Sequence, residues 1–238
     1  MSPTEQLIDL GIFRGLPLEE RTDLAAKGQI RPFAAGETIA LRGQDVDALF
    51  AVLQGRVKLS RSSLEGKEQT LYVFGPGEPF CLCGVFGTGR FLADAVALNH
   101  CRVFILSRQE FDRAAHDHPA LLRNMVEVLS GRLRQAMELV ESLALREIPQ
   151  RVAAYLLTLP ADTPQGCNDP AQQGQPEPGY PVELGMTHRE LAKIVGATPE
   201  TLSRALRRLD EEGLVTVSGG RIRLLDPEAL RQRAEMLS

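Results

Sequence analysis

Nowhere in its 238 residues does the chain run about 18 uncharged apolar residues together, so the sequence contains no candidate membrane helix. It is also poor in cysteine. Cys81, Cys83, Cys101 and Cys167 are too few and too unevenly spaced for a disulfide framework, and free thiols are expected. The opening Met-Ser-Pro-Thr-Glu-Gln lacks the basic start and apolar centre of an export signal, which predicts a cytoplasmic protein. Missing as well are a phosphate-cradling glycine loop, a Gly-x-Ser-x-Gly elbow and paired metal histidines; no enzyme class is supported. A net charge of −4 excludes a protein that coats nucleic acid with its whole surface, so any such contact has to be local.

What remains reads as two domains. Hydrophobic residues at 43% and charged residues at 24% are those of an ordinary globular chain, and its length gives each of two domains a core. From Gln29 to Leu106 the pattern is that of short strands, with Leu49-Phe50-Ala51-Val52-Leu53 and Val103-Phe104-Ile105-Leu106 as apolar runs. Glycines at 36, 43, 55, 75, 77 and 87 punctuate them, predicting a β-sandwich or barrel. Pro17 to Lys27 predicts a helix ahead of the barrel. After it Ser107 to His118 predicts a short helix, and Pro119 starts a longer one to Leu145.

In that long helix Leu122, Val126, Leu129, Leu133, Ala136, Val140 and Leu143 alternate by four and three residues. Such a seam wants a partner helix, and small Ala136 would let two copies approach closely. A further helix is expected over Glu147 to Leu159. Pro160 to Pro178, which holds Cys167, has almost no apolar content and reads as a surface loop. The boundaries are a β-barrel domain over 1–118, a dimerisation helix over 119–146 and a last domain over 147–238.

Within that last domain Thr187, followed three residues later by Glu190, opens a helix with Leu191, Ile194 and Val195 on its apolar face. Gly196 permits a sharp turn, and Thr198 caps a second helix with Pro199 at its first position. This is a helix-turn-helix. On the second helix Thr201, Leu202, Ala205, Leu206 and Leu209 face inward, leaving Glu200, Ser203, Arg204, Arg207 and Arg208 outward. Arg204 can pair with the two acceptors of guanine and Glu200 can accept from the cytosine amino group. Arg207, Arg208 and Lys193 suit phosphates, which position a helix without choosing a sequence. A surface ion pair between Glu200 and Arg204 is the alternative use of those two side chains. Strand-forming residues on either side of Gly219-Gly220, ending in Arg221-Ile222-Arg223, then complete a β-wing that adds Arg221 to the basic face.

Phe33, Gly36, Ile39, Gly43, Leu49, Val52, Gly55, Val57 and Leu59 in the barrel, with Glu200-Thr201-Leu202-Ser203-Arg204 on the second helix, resemble the CRP/FNR family of regulators over nearly the whole chain. The resemblance implies an α+β architecture: a cyclic-nucleotide-binding-like jelly-roll barrel, a dimerising central helix and a winged helix that bends palindromic double-stranded DNA, with RNA polymerase as a further partner. Glu200, Ser203 and Arg204 match the FNR-type reading triplet, which implies TTGA-type half-sites. A cyclic-nucleotide-binding module that regulates a partner protein is the reading from another class.

Where cAMP-binding relatives carry Gly-Glu and Arg-Ser, this chain has Cys81-Leu82 and Phe91-Leu92, with Arg90 one residue from the arginine position. That disfavours cAMP. An N-terminal iron–sulfur cluster is disfavoured because residues 1 to 80 contain no cysteine. Pro79-Phe80-Cys81-Leu82-Cys83-Gly84 is similar to the segment that carries the iron ligands in the family's haem-based carbon monoxide sensor. The similarity puts Cys81 at the position of the cysteine ligand and Cys83 in place of the histidine, which implies haem b with Cys81 as metal ligand; His100, His116 and His118 are candidate second ligands, plain surface imidazoles being the alternative. On a strand, Cys81 and Cys83 would put both sulfurs on one face. Another small ligand, or thiol redox state, is the alternative effector.

Overall fold

The computed structural model describes residues 10–159, 180–182, 184, 186–218 and 221–235. The expected loop at 160–178 with Cys167, and the Gly219-Gly220 turn, lie outside the described residues. The chain divides into two units at Ala136/Met137, inside the long helix.

The first unit opens with a single 3₁₀ turn at Gly11–Phe13 and helix α1, Leu18–Lys27. Eight strands follow: β1 Gln29–Phe33, β2 Thr38–Ala40, β3 Ala48–Gln54, β4 Val57–Ser62, β5 Glu68–Phe74, β6 Pro79–Phe80, β7 Asp94–Ala97 and β8 Cys101–Ser107. They form two antiparallel four-stranded sheets, β1-β8-β3-β6 and β2-β7-β4-β5, whose sequential neighbours sit mostly in different sheets. This is the jelly-roll arrangement expected.

Along β8, Cys101, Val103, Phe104 and Leu106 are buried, with Val103 opposite Val52 and Leu106 opposite Leu49 of β3. Gly55 makes the β3–β4 turn with φ +82°, and a side chain there would strike the His100 carbonyl at 2.4 Å. Only glycine meets both demands.

Ser107 caps helix α2, Arg108–Asp117, by accepting from the Glu110 amide at 3.3 Å. Pro119 then precedes helix α3, Ala120–Leu145. Two stripes run along α3. Leu121 and Met125 are buried in the barrel core with Val128 and Leu129 packed beside them, whereas Leu122, Val126, Leu133, Met137 and Val140 are exposed. The sequence period puts Leu129 with the exposed seam; the structure has it half-buried against the barrel. Arg132 joins the same inner stripe, 2.9 Å from Glu78 and stacked 4.1 Å over the Tyr72 ring.

The second unit holds helix α4 Ile148–Leu157, strand β9 Tyr180–Val182, helices α5 His188–Val195 and α6 Pro199–Glu211, the hairpin β10 Val215–Ser218 and β11 Arg221–Leu224, and helix α7 Pro227–Glu235. Its three-stranded sheet runs β10-β11-β9. Leu156, Leu191, Leu202, Leu209, Ile222 and Leu230 close one core beneath the helices. Among the described residues no helix is long and apolar enough to cross a membrane.

Candidate nucleic-acid interface and effector segment

The second core positions α6. Leu202, Ala205, Leu206 and Leu209 recur at three and four residues and are all buried, which turns the opposite face of the helix outward. Thr201, expected inside, is only half-buried. Gly196 ends α5 in the left-handed conformation at φ 69°, and the Thr198 hydroxyl accepts from the Thr201 amide at 3.2 Å to start α6. At the other end of α5, Thr187 accepts from the Glu190 amide at 3.2 Å. These caps and the turn stand where the sequence puts them.

On the outward face Glu200, Ser203, Arg204, Arg207 and Arg208 are all exposed. The Glu200 carboxyl is held below its usual range by its own backbone amide, by the Thr198 hydroxyl and by the charge of Arg204. It is therefore an anion at neutral pH, as acceptance from a base amino group requires. Among the described residues Arg204 makes no hydrogen bond or ion pair within 4 Å, and the expected alternative, a Glu200–Arg204 surface pair, is present only as the longer-range attraction that lowers the Glu200 pKa. Its neighbours differ. Arg207 pairs with Glu211 at 2.9 Å, and Arg208 with Glu212 at 3.0 Å, the latter shared with Arg233 at 3.2 Å. Lys193 lies 2.9 Å from Glu190. The Arg207–Glu211 pair is exposed on both sides and worth about 0–1 kcal/mol, so a phosphate could exchange for its carboxylate at little cost. Arg221 and Arg223 point outward from β11 while Ile222 and Leu224 point in.

Sequence reasoning misses two parts of this domain. Strand β9 pairs Val182 with Ile222 and stiffens the wing, but it is three residues long beside a proline-rich stretch. Helix α7 is the other; its sequence Pro-Glu-Ala-Leu-Arg-Gln-Arg-Ala-Glu carries Leu230 and Ala234 four apart, the signal that could have found it.

The effector segment departs from expectation. Strand β6 ends at Phe80, Cys81 turns left-handed at φ 62°, and Leu82 to Thr88 form a helical turn that ends with π-type bonding. Cys81 and Cys83 therefore do not share the face of a strand. The backbone bonds Gly84 N–H to Cys81 O (3.0 Å) and Val85 N–H to Cys81 O (3.2 Å) fix the turn instead. Cys81 is half-buried and Cys83 exposed, and burial, reinforced by the neighbouring Cys83 sulfur, pushes the Cys81 thiol far above its ordinary range. Cys101 is buried.

Inside the barrel aromatic rings follow one another: Tyr72 to Phe74 at 4.5 Å, Phe74 to Phe80 at 5.5 Å, Phe80 to Phe50 at 5.3 Å and Phe50 to Phe91 at 5.6 Å. Leu82 is buried in the same core. Arg90 instead faces solvent, 3.3 Å from Asp45. Of the other imidazoles, His100 and His116 are exposed and His118 lies 3.5 Å from Glu20.

On α3, Leu122, Val126, Leu133 and Val140 are each more than half exposed in the single chain, Ala136 is exposed, and Leu143 is 36% exposed. Met137, at 65%, lies in the same exposed stripe; the sequence period passes over it because Ala136 keeps the stricter spacing.

Comparison with known proteins agrees with this geometry. Residues 150–233 match the Crp-like helix-turn-helix domain and residues 30–118 the cyclic nucleotide-binding domain. The cyclic AMP receptor protein of Thermus thermophilus is 33% identical over 94% of this chain and 96% of its own length. A CRP-like cAMP-activated global transcriptional regulator of Mycobacterium tuberculosis is 28% identical over 97% of this chain and 99% of its own. The structure of FixK2 from Bradyrhizobium japonicum superimposes with a TM-score of 0.73, covering 89% of this chain and 99% of that one; at 22% identity the agreement is one of fold.

Proposed function

The chain belongs to the CRP/FNR family of DNA-binding transcription regulators, and from that premise we propose that it binds palindromic DNA as a homodimer, reading TTGA-type half-sites with Glu200, Ser203 and Arg204. The observation that carries this reading is the freedom of Arg204. Among the described residues it makes no hydrogen bond or ion pair within 4 Å on the outward face of a capped helix and feels only the nearby charge of Glu200, while Arg207 and Arg208 are held by glutamates. A guanidinium kept free and beside a carboxylate suits a G·C pair, and Thr198, Lys193, Arg207, Arg208 and Arg221 supply the phosphate contacts that hold the helix in register. Dimerisation through the exposed stripe of α3 places two such helices on one palindrome, half-sites about one helical turn apart. RNA polymerase is the further partner of a promoter-bound dimer.

Arg204→Ala tests the reading. It should cost about 1–3 kcal/mol on a TTGA palindrome and little on random DNA, measured by fluorescence anisotropy. Equal loss on both would refute base reading by Arg204.

For the effector the reading is haem b with Cys81 as a thiolate ligand, thiol redox state or another small ligand being the alternative. One feature of the site suits haem: Cys81 packs against an apolar, ring-lined core. Another opposes it, since burial holds the Cys81 thiol protonated and a ligand must be deprotonated. Bound haem would supply an iron whose ligation responds to a diatomic gas; the chain's own part is to shield the thiol and to hold the turn at Cys81. Reconstitution with haem, followed by Cys81→Ser, decides it: a stoichiometric spectrum that changes on substitution is expected, and no uptake would remove the ligand role.

A further inference from the structure

The two helices that must keep a fixed relation if DNA is to be read as a palindrome are α3, which carries the dimer stripe, and α6, which reads bases. One side chain ties their supports together. The Arg151 guanidinium, on α4, donates from Nε to the Arg146 carbonyl at 2.8 Å, from Nη2 to the Leu143 carbonyl at 2.8 Å and from Nη1 to the Val195 carbonyl at 3.3 Å. Leu143 is in the last turn of α3 and Arg146 just beyond it; Val195 is the last residue of α5. Carbonyls at helix ends lack partners within the helix and carry the negative end of its dipole, so one cation serves two helix C-termini at once.

The connections around this contact are short and capped. Only Arg146 and Glu147 separate α3 from α4, and the Glu147 amide donates to Gln150 Oε1 at 2.6 Å within a capping box whose Gln150 is buried. Beyond Val195, the left-handed Gly196 and the Thr198 cap set the start of α6. Burial lowers the pKa of the Arg151 guanidinium, a group that stays protonated in proteins.

We propose that Arg151 sets half-site spacing: by locking the end of α3 to the end of α5 it fixes where each recognition helix lies relative to the dimer axis. The proposal rests on the dimer reading above. Inserting one base pair between half-sites moves the second by about 3.4 Å and rotates it by roughly 34°, so a rigid joint discriminates between neighbouring spacings and a loose one does not. Lysine cannot replace the fork, because one ammonium does not span three carbonyls in different directions.

The experiment uses the full chain and DNA carrying two TTGA half-sites at spacings varied by one and two base pairs, together with a single half-site. The wild type should prefer one spacing by about tenfold or more, which corresponds to about 1.4 kcal/mol. R151M should bind neighbouring spacings within about twofold of one another while keeping its single half-site affinity and its dimer; R151K should fall between. An unchanged spacing profile in R151M would overturn the proposal. So would equal loss on the single half-site, which marks a merely structural residue. Should R151M fail to fold, R151K carries the test, and a wild-type profile there overturns it. A wild-type chain that sediments as a monomer and ignores spacing removes the dimer reading, and this proposal with it; a dimer with a sharp preference that R151M retains refutes Arg151 alone.

Discussion

Leu133 and Val140 stand in the exposed stripe of α3 at 64% and 67% exposure, and neither packs on either core. Replacing both with glutamate should therefore leave the single chain folded and abolish its pairing. Full burial of such a side chain is worth about 1.5–3 kcal/mol, and about two-thirds of each is available here, so each contributes about 1–2 kcal/mol. Four side chains across a two-fold interface give about 4–8 kcal/mol, or roughly three to six decades in the dimer dissociation constant. Burying carboxylates without cations adds to the loss. Sedimentation equilibrium should show monomers at micromolar concentration, while thermal melting of the barrel stays within a few degrees of the wild type. A dissociation constant within about tenfold of wild type would refute the seam. Leu129→Glu is the wrong probe: that residue packs on the barrel core, so its replacement would mix unfolding with dissociation.

Two further outcomes follow from the same geometry. Arg207→Ala should weaken cognate and random DNA alike and lower the slope of log affinity against log salt by about 0.9 for each phosphate left without its cation, read by anisotropy at several salt concentrations; an unchanged slope would take Arg207 off the phosphates. For the cysteines, the raised Cys81 thiol means the native fold resists ionisation that the unfolded chain undergoes, so its contribution is present below the ordinary thiol pKa of about 8.5 and is lost as pH rises above it. Thermal melting from pH 8 upward should fall less steeply in Cys81→Ala, and a charged disulfide reagent should modify exposed Cys83 well before Cys81; equal rates would contradict the burial.

The winged helix is legible in sequence because its signals are local. Thr187, Gly196, Thr198 and Pro199 act on backbone within four residues of themselves, and the inward face of α6 follows from a helical period. Cys81 is misleading for the opposite reason. An apolar run through Phe80 looks like continuing strand, whereas the Gly84 and Val85 amides donate to the Cys81 carbonyl and turn the chain there, and Gly84 sits where an added Cβ would lie 2.7 Å from the Arg90 carbonyl and 2.8 Å from Val46, neighbours that the sequence pattern does not reveal. Leu129 likewise keeps the seam's spacing, and only the barrel's position on α3 turns it inward.

By itself the sequence determined a strand-built sandwich or barrel followed by a long helix and a winged helix-turn-helix, and the outward face of α6, since these rest on periodicity, caps and turns between near neighbours. Tertiary structure alone decided which arginine is free, which leucines of α3 are covered, and that Arg151 bridges helix ends eight and forty-four residues away. Such contacts depend on where a side chain's partners arrive in space, and a period along the chain carries no information about that.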